Sequence, residues 1–243
     1  MKLLQPLFIA LQFLTILPVK VTEPLDNKQL GQSLLFYPVV GLFIAVALII
    51  LASLLSSQAS FVSAILVLII WTALTGGLHL DGLADSADAW LGGLGDKEKT
   101  LAIMKDPASG PIAVALLILV LLTKLIMLSE LLAEQNYLAI ILATTLARTA
   151  LPLLFLTTPY VRKQGIAELL IQYQPRVATK YVVLAVAVLS VLLGGFWLLL
   201  VAFGVFLVLR YVMQQRLNGT TGDTAGAMVE LLETAILITA VIL

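Results

Sequence analysis

Long apolar segments are the feature that most constrains this chain. An α-helix needs roughly 20 mostly apolar residues to cross a bilayer, and several uninterrupted runs approach that length. These runs are residues 34–55, 61–78, 111–128, 137–157 and the somewhat short 228–243. Hydrophobic residues make up 61% of the chain and charged residues 12%. In soluble domains nearly half of the residues are hydrophobic and about a quarter are charged. The sequence therefore excludes a soluble or disordered chain and predicts a membrane protein.

Residues 181–213 form an apolar run that is too long for one ordinary span at about 1.5 Å per residue. Because Gly194-Gly195 lies near its middle, we interpret this run as two helices joined by a tight turn. The fold class is then an all-α polytopic membrane bundle of about seven helices, with residues 1–243 as a single integral membrane domain. One long tilted helix over 181–213 would give six spans instead.

Residues 1–19 are apolar but contain Pro6 and Pro18. A cleaved signal peptide would have a charged start and a small-residue cleavage site, and this segment lacks a good one. We interpret it as an interfacial or re-entrant segment. A homo-oligomer, in which this segment packs against a second copy, is left open.

Lys and Arg alternate between the connections of the predicted bundle. The connections 56–60, 129–136 and Gly194-Gly195 contain neither residue, while the others are basic. Basic loops stay in the cytoplasm. A topology with seven spans places every basic loop there, whereas a topology with six spans would place the last two basic loops on opposite sides of the membrane. The pattern favours seven spans, with every basic loop in the cytoplasm. The basic loop residues are Lys20, Lys28, Lys97, Lys99, Lys105, Arg162, Lys163, Arg176, Lys180, Arg210 and Arg216.

Charge and cysteine content exclude several kinds of chemistry. Lys and Arg number 14, as do Asp and Glu, so no polybasic or acidic tail indicates nucleic acid as a partner. The chain has no Cys and one His, which excludes disulfides, thiol nucleophiles and Cys-rich or poly-His metal sites. Catalysis therefore depends on carboxylates, hydroxyls, amides and a few bases.

A first acidic edge lies in residues 76–89. Asp81, Asp85 and Asp88 are spaced at i, i+4 and i+7 and share one face of a helix. Like charges at this spacing repel each other, so the arrangement favours a cation between the carboxylates. The alternative is a solvated acidic helix in a loop. His79 precedes this edge and is either a structural hydrogen-bonding residue or a base.

A second acidic edge lies in residues 218–233. Asp223, Glu230 and Glu233 share a helix face, and both glutamates fall inside the final apolar run. Carboxylates there are costly unless they pair or coordinate, which makes them functional candidates. The alternative is a structural ion pair with Arg148, itself within an apolar span.

Both edges begin at the cytoplasmic ends of their spans, so we expect them to meet. An oxygen-only ligand set suits Mg²⁺, with Mn²⁺ as an option, and Gly82 and Gly222 leave room for phosphate oxygens. With Lys105 and Arg148 nearby, such a site can hold a metal-bound diphosphate that an alcohol attacks in line. The predicted metal ligands are Asp81, Asp85, Asp88, Asp223 and Glu230.

Residues 105–111 open an apolar span. Pro111 suits the first turn of a helix, and the free amides there can receive an anion; an ordinary capped helix start is the alternative. Lys105 beside Asp106 favours phosphate handling. Further along the same span, Lys124 is expected to extend its amine to the membrane surface.

The Asp81-Gly82 pair resembles the CDP-alcohol phosphotransferases, membrane enzymes that displace a nucleoside monophosphate. Their pattern requires an Arg where this chain has Asp85, so that activity is the runner-up hypothesis. A cation or corrinoid transporter is a third, but transporters often show paired repeats, and no repeat is recognisable here.

A closer resemblance covers nearly the whole chain. The segments 76–88, 102–106 and 221–227 with Glu230, together with Phe-Leu-Thr-Ile-Leu-Pro at 13–18, resemble the cobalamin synthase family of adenosylcobinamide-GDP ribazoletransferases. The resemblance implies a Mg²⁺-dependent enzyme of the bacterial inner membrane, with its active site facing the cytoplasm, that joins adenosylcobinamide-GDP to α-ribazole or its 5′-phosphate. A ribose hydroxyl would attack the phosphate attached to the corrinoid, GMP would leave, and adenosylcobalamin or its 5′-phosphate would form.

The resemblance also implies residue roles. Asp81, Asp85 and Asp88 would bind metal and diphosphate opposite Asp223 and Glu230, and His79 would take the hydroxyl proton. Family members commonly carry arginines where this chain has Ile16 and Pro107-Ala108. We therefore expect Lys105 or Arg148 to hold the diphosphate, with Gly82 and Gly222 beside it.

Overall fold

The computed structural model describes residues 4–21, 26–162 and 166–243, and its regular structure there is helical. The helices are α1 (Gln5–Leu14), α2 (Asn27–Ser33), α3 (Tyr37–Leu54), α4 (Ser60–Thr75), α5 (Leu78–Gly93), α6 (Lys97–Ile103), α7 (Pro111–Ala133), α8 (Tyr137–Thr157), α9 (Ile166–Gln172), α10 (Arg176–Leu192), α11 (Phe196–Leu217) and α12 (Gly222–Ile242). A 3₁₀ turn at Leu34–Phe36 joins α2 to α3. Within the described ranges no β-strand is present, which confirms the all-α class. Lys163, one of the basic loop residues, lies outside these ranges.

Five helical segments of the described chain are long and apolar enough to cross a membrane, which confirms a polytopic bundle. They are Asn27–Leu54, α7, α8, α11 and α12, and the bent pair α4 and α5 would make a sixth. The expected seventh span corresponds to α10, which has 17 residues and begins at Arg176. That helix is shorter than the roughly 20 residues of a span, so length and composition give five to six spans rather than seven.

The apolar run at 181–213 does divide at its paired glycines. Helix α10 ends at Leu192 and α11 begins at Phe196, with Gly194 in the left-handed conformation at φ 88°. A side chain is strained there, whereas glycine adopts it freely. The alternative of one long helix is therefore wrong.

Helices α8 and α12 form the centre of the bundle. Helix α8 packs against α3, α10, α11 and α12, while α12 also contacts α5 and α7. Close approach depends on small residues: a methyl group on Gly41 of α3 would lie 2.6 Å from the carbonyl oxygen of Thr144 in α8. The outer faces of α3, α4, α7, α10 and α11 expose large apolar side chains, as the lipid-facing surface of a membrane protein requires.

Two glycines aim α5 away from the span that precedes it. Gly76 and Gly77 are both left-handed, with φ of 63° and 67°, and α5 is bent by 85° from α4. Since three carboxylates are costly inside a bilayer, we treat α5 as lying outside the membrane-spanning segments. The backbone amide of Ile16, just after α1, donates to Leu74 O over 2.9 Å, so α1 is attached beside the start of α5.

Candidate active site

The two acidic helices cross through their glycines. A methyl group on Gly82 of α5 would lie 2.7 Å from the carbonyl oxygen of Asp223, and one on Gly226 of α12 would lie 3.3 Å from the Cα of His79. Such contact is open only to residues without side chains. The crossing therefore brings the first turn of α12 onto the start of α5 and places Asp223 near Asp81.

A cavity of about 150 Å³ lies at this crossing. Five residues that the sequence singled out line it, namely His79, Asp81, Gly82, Gly222 and Asp223. Its remaining wall is mainly apolar and comes from α1, α3, α8, α9 and α12, with Phe13, Leu14, Tyr37, Leu151, Phe155, Ala167, Leu170 and Ala225 among its residues. Residues far apart in the sequence thus share one partly enclosed space that is acidic at one side and apolar at the other.

The carboxylates at this crossing repel each other. Partial burial, reinforced by the charges of Asp81 and Asp223, raises the pKa of Asp85 to about 6, against the opposing effect of Arg162. A site with surplus negative charge and only oxygen donors suits a hard cation. Among the described side chains, however, no three acidic or histidine groups already converge as a complete metal cage.

Arg162 is the base that the structure places beside this acidic group. Its Nη2 lies 2.6 Å from Asp223 Oδ2 and also donates to Met104 O over 3.3 Å. Sequence reasoning used Arg162 only as a marker of orientation, since nothing in its neighbourhood resembles a motif. Its role depends on the path of the chain between α8 and α9.

Two loop segments hold Arg162 against α12. The amide of Thr220 donates to Pro159 O over 2.8 Å, and the amide of Val161 donates to Thr220 O over 3.0 Å. The connections after α8 and after α11 therefore lie on the same side of the bundle. This agrees with the same-side placement of these two basic loops that the charge pattern favoured.

The start of α12 is held by its own hydroxyl groups. Thr224 N donates to Thr221 Oγ1 over 3.2 Å and Thr221 N donates to Thr224 Oγ1 over 2.9 Å, a reciprocal cap that fixes the first turn. Next to it, partial burial raises the pKa of Tyr160, an effect that the Gly222 amide opposes by hydrogen bonding. Asp223 therefore projects from a rigid helix end.

Asp88 has hydrogen-bond partners at the start of α7, and its predicted role as a metal ligand stays a prediction. Its carboxylate accepts hydrogen bonds from the amides of Gly110 and Ala113, the second over 3.0 Å, so it caps α7 from α5. It lines a separate open cavity with Asp106 rather than the one beside Asp81. The anion at the start of α7 is thus a side chain of the protein, and the ordinary-cap interpretation of that segment is correct.

Glu230 belongs to a buried group that we name the core charge cluster: Lys124, Arg148, Glu230 and Glu233. Lys124 Nζ lies 2.6 Å from Glu230 Oε2 and also pairs with Glu233, which pairs in turn with Arg148. Lys124 lies 4.9 Å from the centre of the Trp71 ring and is 3% exposed. The expectation that Lys124 reaches the membrane surface is therefore wrong.

The core charge cluster also bears on two predicted site residues. Glu230 was expected to bind metal and Arg148 to contact diphosphate, yet both are buried and neither lines the cavity. The alternative, structural ion pairing of Glu230 and Glu233 inside the bundle, describes what the structure shows. Lys105 is exposed on the loop before α7, outside the cavity lining, and its role remains a prediction.

Fold and site together define a polytopic, all-α membrane enzyme with an acidic cavity at one end of its bundle. The family model of cobalamin-5-phosphate synthase matches residues 6–241, and the chain belongs to this family. Curated relatives make it a transferase: proteins named adenosylcobinamide-GDP ribazoletransferase from Pseudomonas fluorescens Pf-5 and Pseudomonas entomophila L48 are each 52% identical over 96% of this chain and 97% of their own length. One from Pseudomonas putida W619 is 50% identical, with the same coverage of both chains. No solved structure matches the chain.

Proposed function

We propose that this protein transfers the corrinoid phosphate of adenosylcobinamide-GDP to α-ribazole or α-ribazole 5′-phosphate. The observation that carries the proposal is the cavity in which the two acidic motifs meet, because it joins Asp81 to Asp223 across 142 positions of sequence. The names of the relatives supply the substrates. The transferase domain comprises residues 1–243, with its site built from residues 76–110 and 218–233.

The reaction is one in-line displacement at phosphorus. A ribose hydroxyl oxygen of the acceptor forms a bond to the phosphorus that carries the corrinoid alcohol, and the bond from that phosphorus to the bridging oxygen breaks. GMP leaves with that oxygen, and the hydroxyl proton passes to a base. Adenosylcobalamin forms from α-ribazole, and its 5′-phosphate forms from the phosphorylated acceptor.

Asp81, Asp85 and Asp223 fit a divalent cation, Mg²⁺ or Mn²⁺, because they are oxygen donors that repel each other, and among the described residues Arg162 is the cation that opposes this repulsion. Asp88 and Glu230 fit it less well, since amides and Lys124 already hold their carboxylates. When bound, the ion would neutralise diphosphate oxygens and the leaving GMP. The protein would supply the preformed, rigid carboxylates around it.

Three features of the chain would handle the substrates directly. His79 is 3% exposed, and its Nδ1 is a buried ring nitrogen at the cavity for which the described residues supply no partner; it would accept the hydroxyl proton. Gly82 and Gly222 line the cavity and let phosphate oxygens approach the backbone. Lys105, exposed on its loop, would neutralise the outer phosphate.

We further propose that the cavity opens to the cytoplasm of a bacterial cell, with the enzyme multi-pass in the inner membrane. The support is the basic character of the loops on the cavity side. Since the chain has no Cys, a single Ser109→Cys substitution in the exposed loop before α7 provides a clean label. A membrane-impermeant maleimide should label it in inside-out vesicles and not in intact spheroplasts; the reverse pattern would contradict the orientation.

The central test is GMP release by the purified protein in proteoliposomes with adenosylcobinamide-GDP, α-ribazole and Mg²⁺. We expect GMP and adenosylcobalamin in equal amounts, with loss of both in Asp81→Ala. Conversion of a CDP-linked alcohol without use of corrinoids would favour the CDP-alcohol class. Uptake of corrinoid into sealed vesicles without product would favour transport.

A further inference from the structure

The cavity has an end that the phosphate chemistry does not use. Besides Asp81 and Asp223, the cavity lining includes three aromatic side chains, Phe13 of α1, Tyr37 of α3 and Phe155 of α8. The Phe13 and Tyr37 rings lie 6.4 Å apart and within 20° of parallel. Aromatic surfaces in this arrangement favour a flat aromatic ligand.

Two of the residues that line the cavity carry a buried polar atom without a partner among the described residues. These atoms are Tyr37 Oη and His79 Nδ1, on side chains that are 0% and 3% exposed. A buried polar atom left unpaired lowers the stability of the fold, and native proteins retain few of them. Both atoms are therefore candidates for hydrogen bonds to a ligand.

The size and polarity of this end select among the parts of the two substrates. The whole cavity, with its acidic and aromatic residues together, measures about 150 Å³. That is far too small for a corrinoid and is the size of a cavity that accepts one benzene-sized ring. Guanine carries several donors and acceptors that each need a partner, and only Tyr37 and His79 offer unpaired ones here. A weakly polar aromatic heterocycle with a single free ring nitrogen fits better.

We propose that the aromatic end of the cavity binds the heterocyclic base of the acceptor nucleoside, with the Tyr37 hydroxyl donating a hydrogen bond to the free ring nitrogen. The base lies against Phe13 and Phe155, and its ribose extends past His79 towards Asp81. This inference rests on the proposed function, because it assigns a binding site to the acceptor of that reaction. It makes Tyr37 a binding residue for one substrate only.

Steady-state kinetics of Tyr37→Phe tests this assignment. Loss of one hydrogen bond should raise the KM for α-ribazole about tenfold, with kcat and the KM for adenosylcobinamide-GDP unchanged. The matched control is Tyr211→Phe, since Tyr211 is 63% exposed on α11 and should leave all three constants unchanged. A rise in the KM for adenosylcobinamide-GDP instead would overturn the assignment in favour of guanine.

A stability measurement separates binding from a structural role. Because Tyr37 Oη has no protein partner among the described residues, its removal should leave the melting temperature of the ligand-free protein unchanged or raise it. Added α-ribazole should then stabilise the wild-type protein more than Tyr37→Phe. A lowered melting temperature with unchanged response to α-ribazole would mean that the hydroxyl is structural, which also overturns the proposal.

A second variant fills the space. Ala167 lines the cavity from α9, and Ala167→Phe should abolish α-ribazole binding, measured by saturation-transfer NMR with proteoliposomes, while adenosylcobinamide-GDP still binds. Retained α-ribazole binding in this variant would overturn the assignment. If the wild-type protein releases GMP but neither variant affects the acceptor, this inference fails and the proposed function stands; if the wild-type protein releases no GMP, the proposed function itself fails.

Discussion

Two groups of charges on α12 differ in how they are balanced. In the core charge cluster, Glu230 and Glu233 face Lys124 and Arg148, so two negative charges meet two positive ones. In the first turn of the same helix, Asp223 lies near Asp81 and Asp85, and Arg162 is the one cation of the described residues that opposes these carboxylates.

The difference shows what each location can tolerate. Charges in an apolar interior persist only when each has a partner, and the core charge cluster meets that condition. At the cavity, water lowers the free-energy cost of unequal charge, so the carboxylates can remain short of positive charge in the absence of the proposed substrate and cation. A group of charges that departs from the pairing seen elsewhere in the fold indicates a functional site.

Breaking the balance in the core should have the largest effect. Glu233→Leu leaves Arg148 buried without its carboxylate, and removal of one partner of a buried pair costs about 3–5 kcal/mol. We expect poor yield and a strongly lowered melting temperature in detergent. The double variant Arg148→Leu/Glu233→Leu removes both partners and should recover most of the stability. Equal loss in the single and double variants would argue against the pairing.

Breaking the site should leave the fold intact and stop the chemistry. Asp223→Asn removes one of the under-compensated carboxylates, and GMP release should fall roughly 100-fold or more because charge stabilisation by a metal is worth several kcal/mol. The melting temperature should stay at or above the wild-type value. Glu98→Gln, at an exposed carboxylate on α6, is the matched control and should retain full activity. Wild-type activity in Asp223→Asn would remove this residue from the site.

The surplus charge also predicts a pH effect at Asp85. The pKa of Asp85 in the folded protein is raised to about 6, above the pKa of a free carboxyl in the unfolded chain. The free energy of unfolding of the ligand-free protein therefore declines as the pH rises from the unfolded pKa to the folded pKa. Bound Mg²⁺ should offset that decline. As the pH falls from 7.5 towards 5.5, protonation of Asp85 should raise the Mg²⁺ concentration needed for half-maximal GMP release. The same pH dependence in Asp85→Asn would show that another group is responsible.

The smallest effect is expected at Asp88, which the sequence grouped with the metal ligands and the structure places at the start of α7. Asp88→Ala removes a helix cap and should cost about 1 kcal/mol of stability. The Mg²⁺ concentration that gives half-maximal GMP release, measured in a metal titration, should be unchanged. A markedly higher Mg²⁺ requirement would return Asp88 to the metal site.

Sequence reasoning found the site residues that lie close to a motif. Residues 76–89 and 221–227 contain His79, Asp81, Gly82, Gly222 and Asp223, all of which line one cavity. It misjudged Lys124 and did not foresee that Asp88 contacts the start of α7, because helical periodicity gives the face of a side chain but not the neighbour that meets it. It missed Tyr37, which lines the cavity, and Arg162, which pairs with Asp223. Both lie outside the motifs and come to the site only through the packing of α3 and the path of the chain after α8.

The sequence by itself determined the membrane class, the helical fold and the acidic composition of the site, because these depend on local quantities: apolar length, backbone hydrogen bonding and helical spacing. Only the tertiary structure decided which carboxylates stay under-compensated and which are neutralised. Asp81 and Asp223 meet because glycines let α5 and α12 touch, whereas Glu230 meets Lys124 across helices 106 residues apart in sequence. Charge pairing inside a bundle depends on how the helices pack, and the spacing of residues along one helix does not predict it.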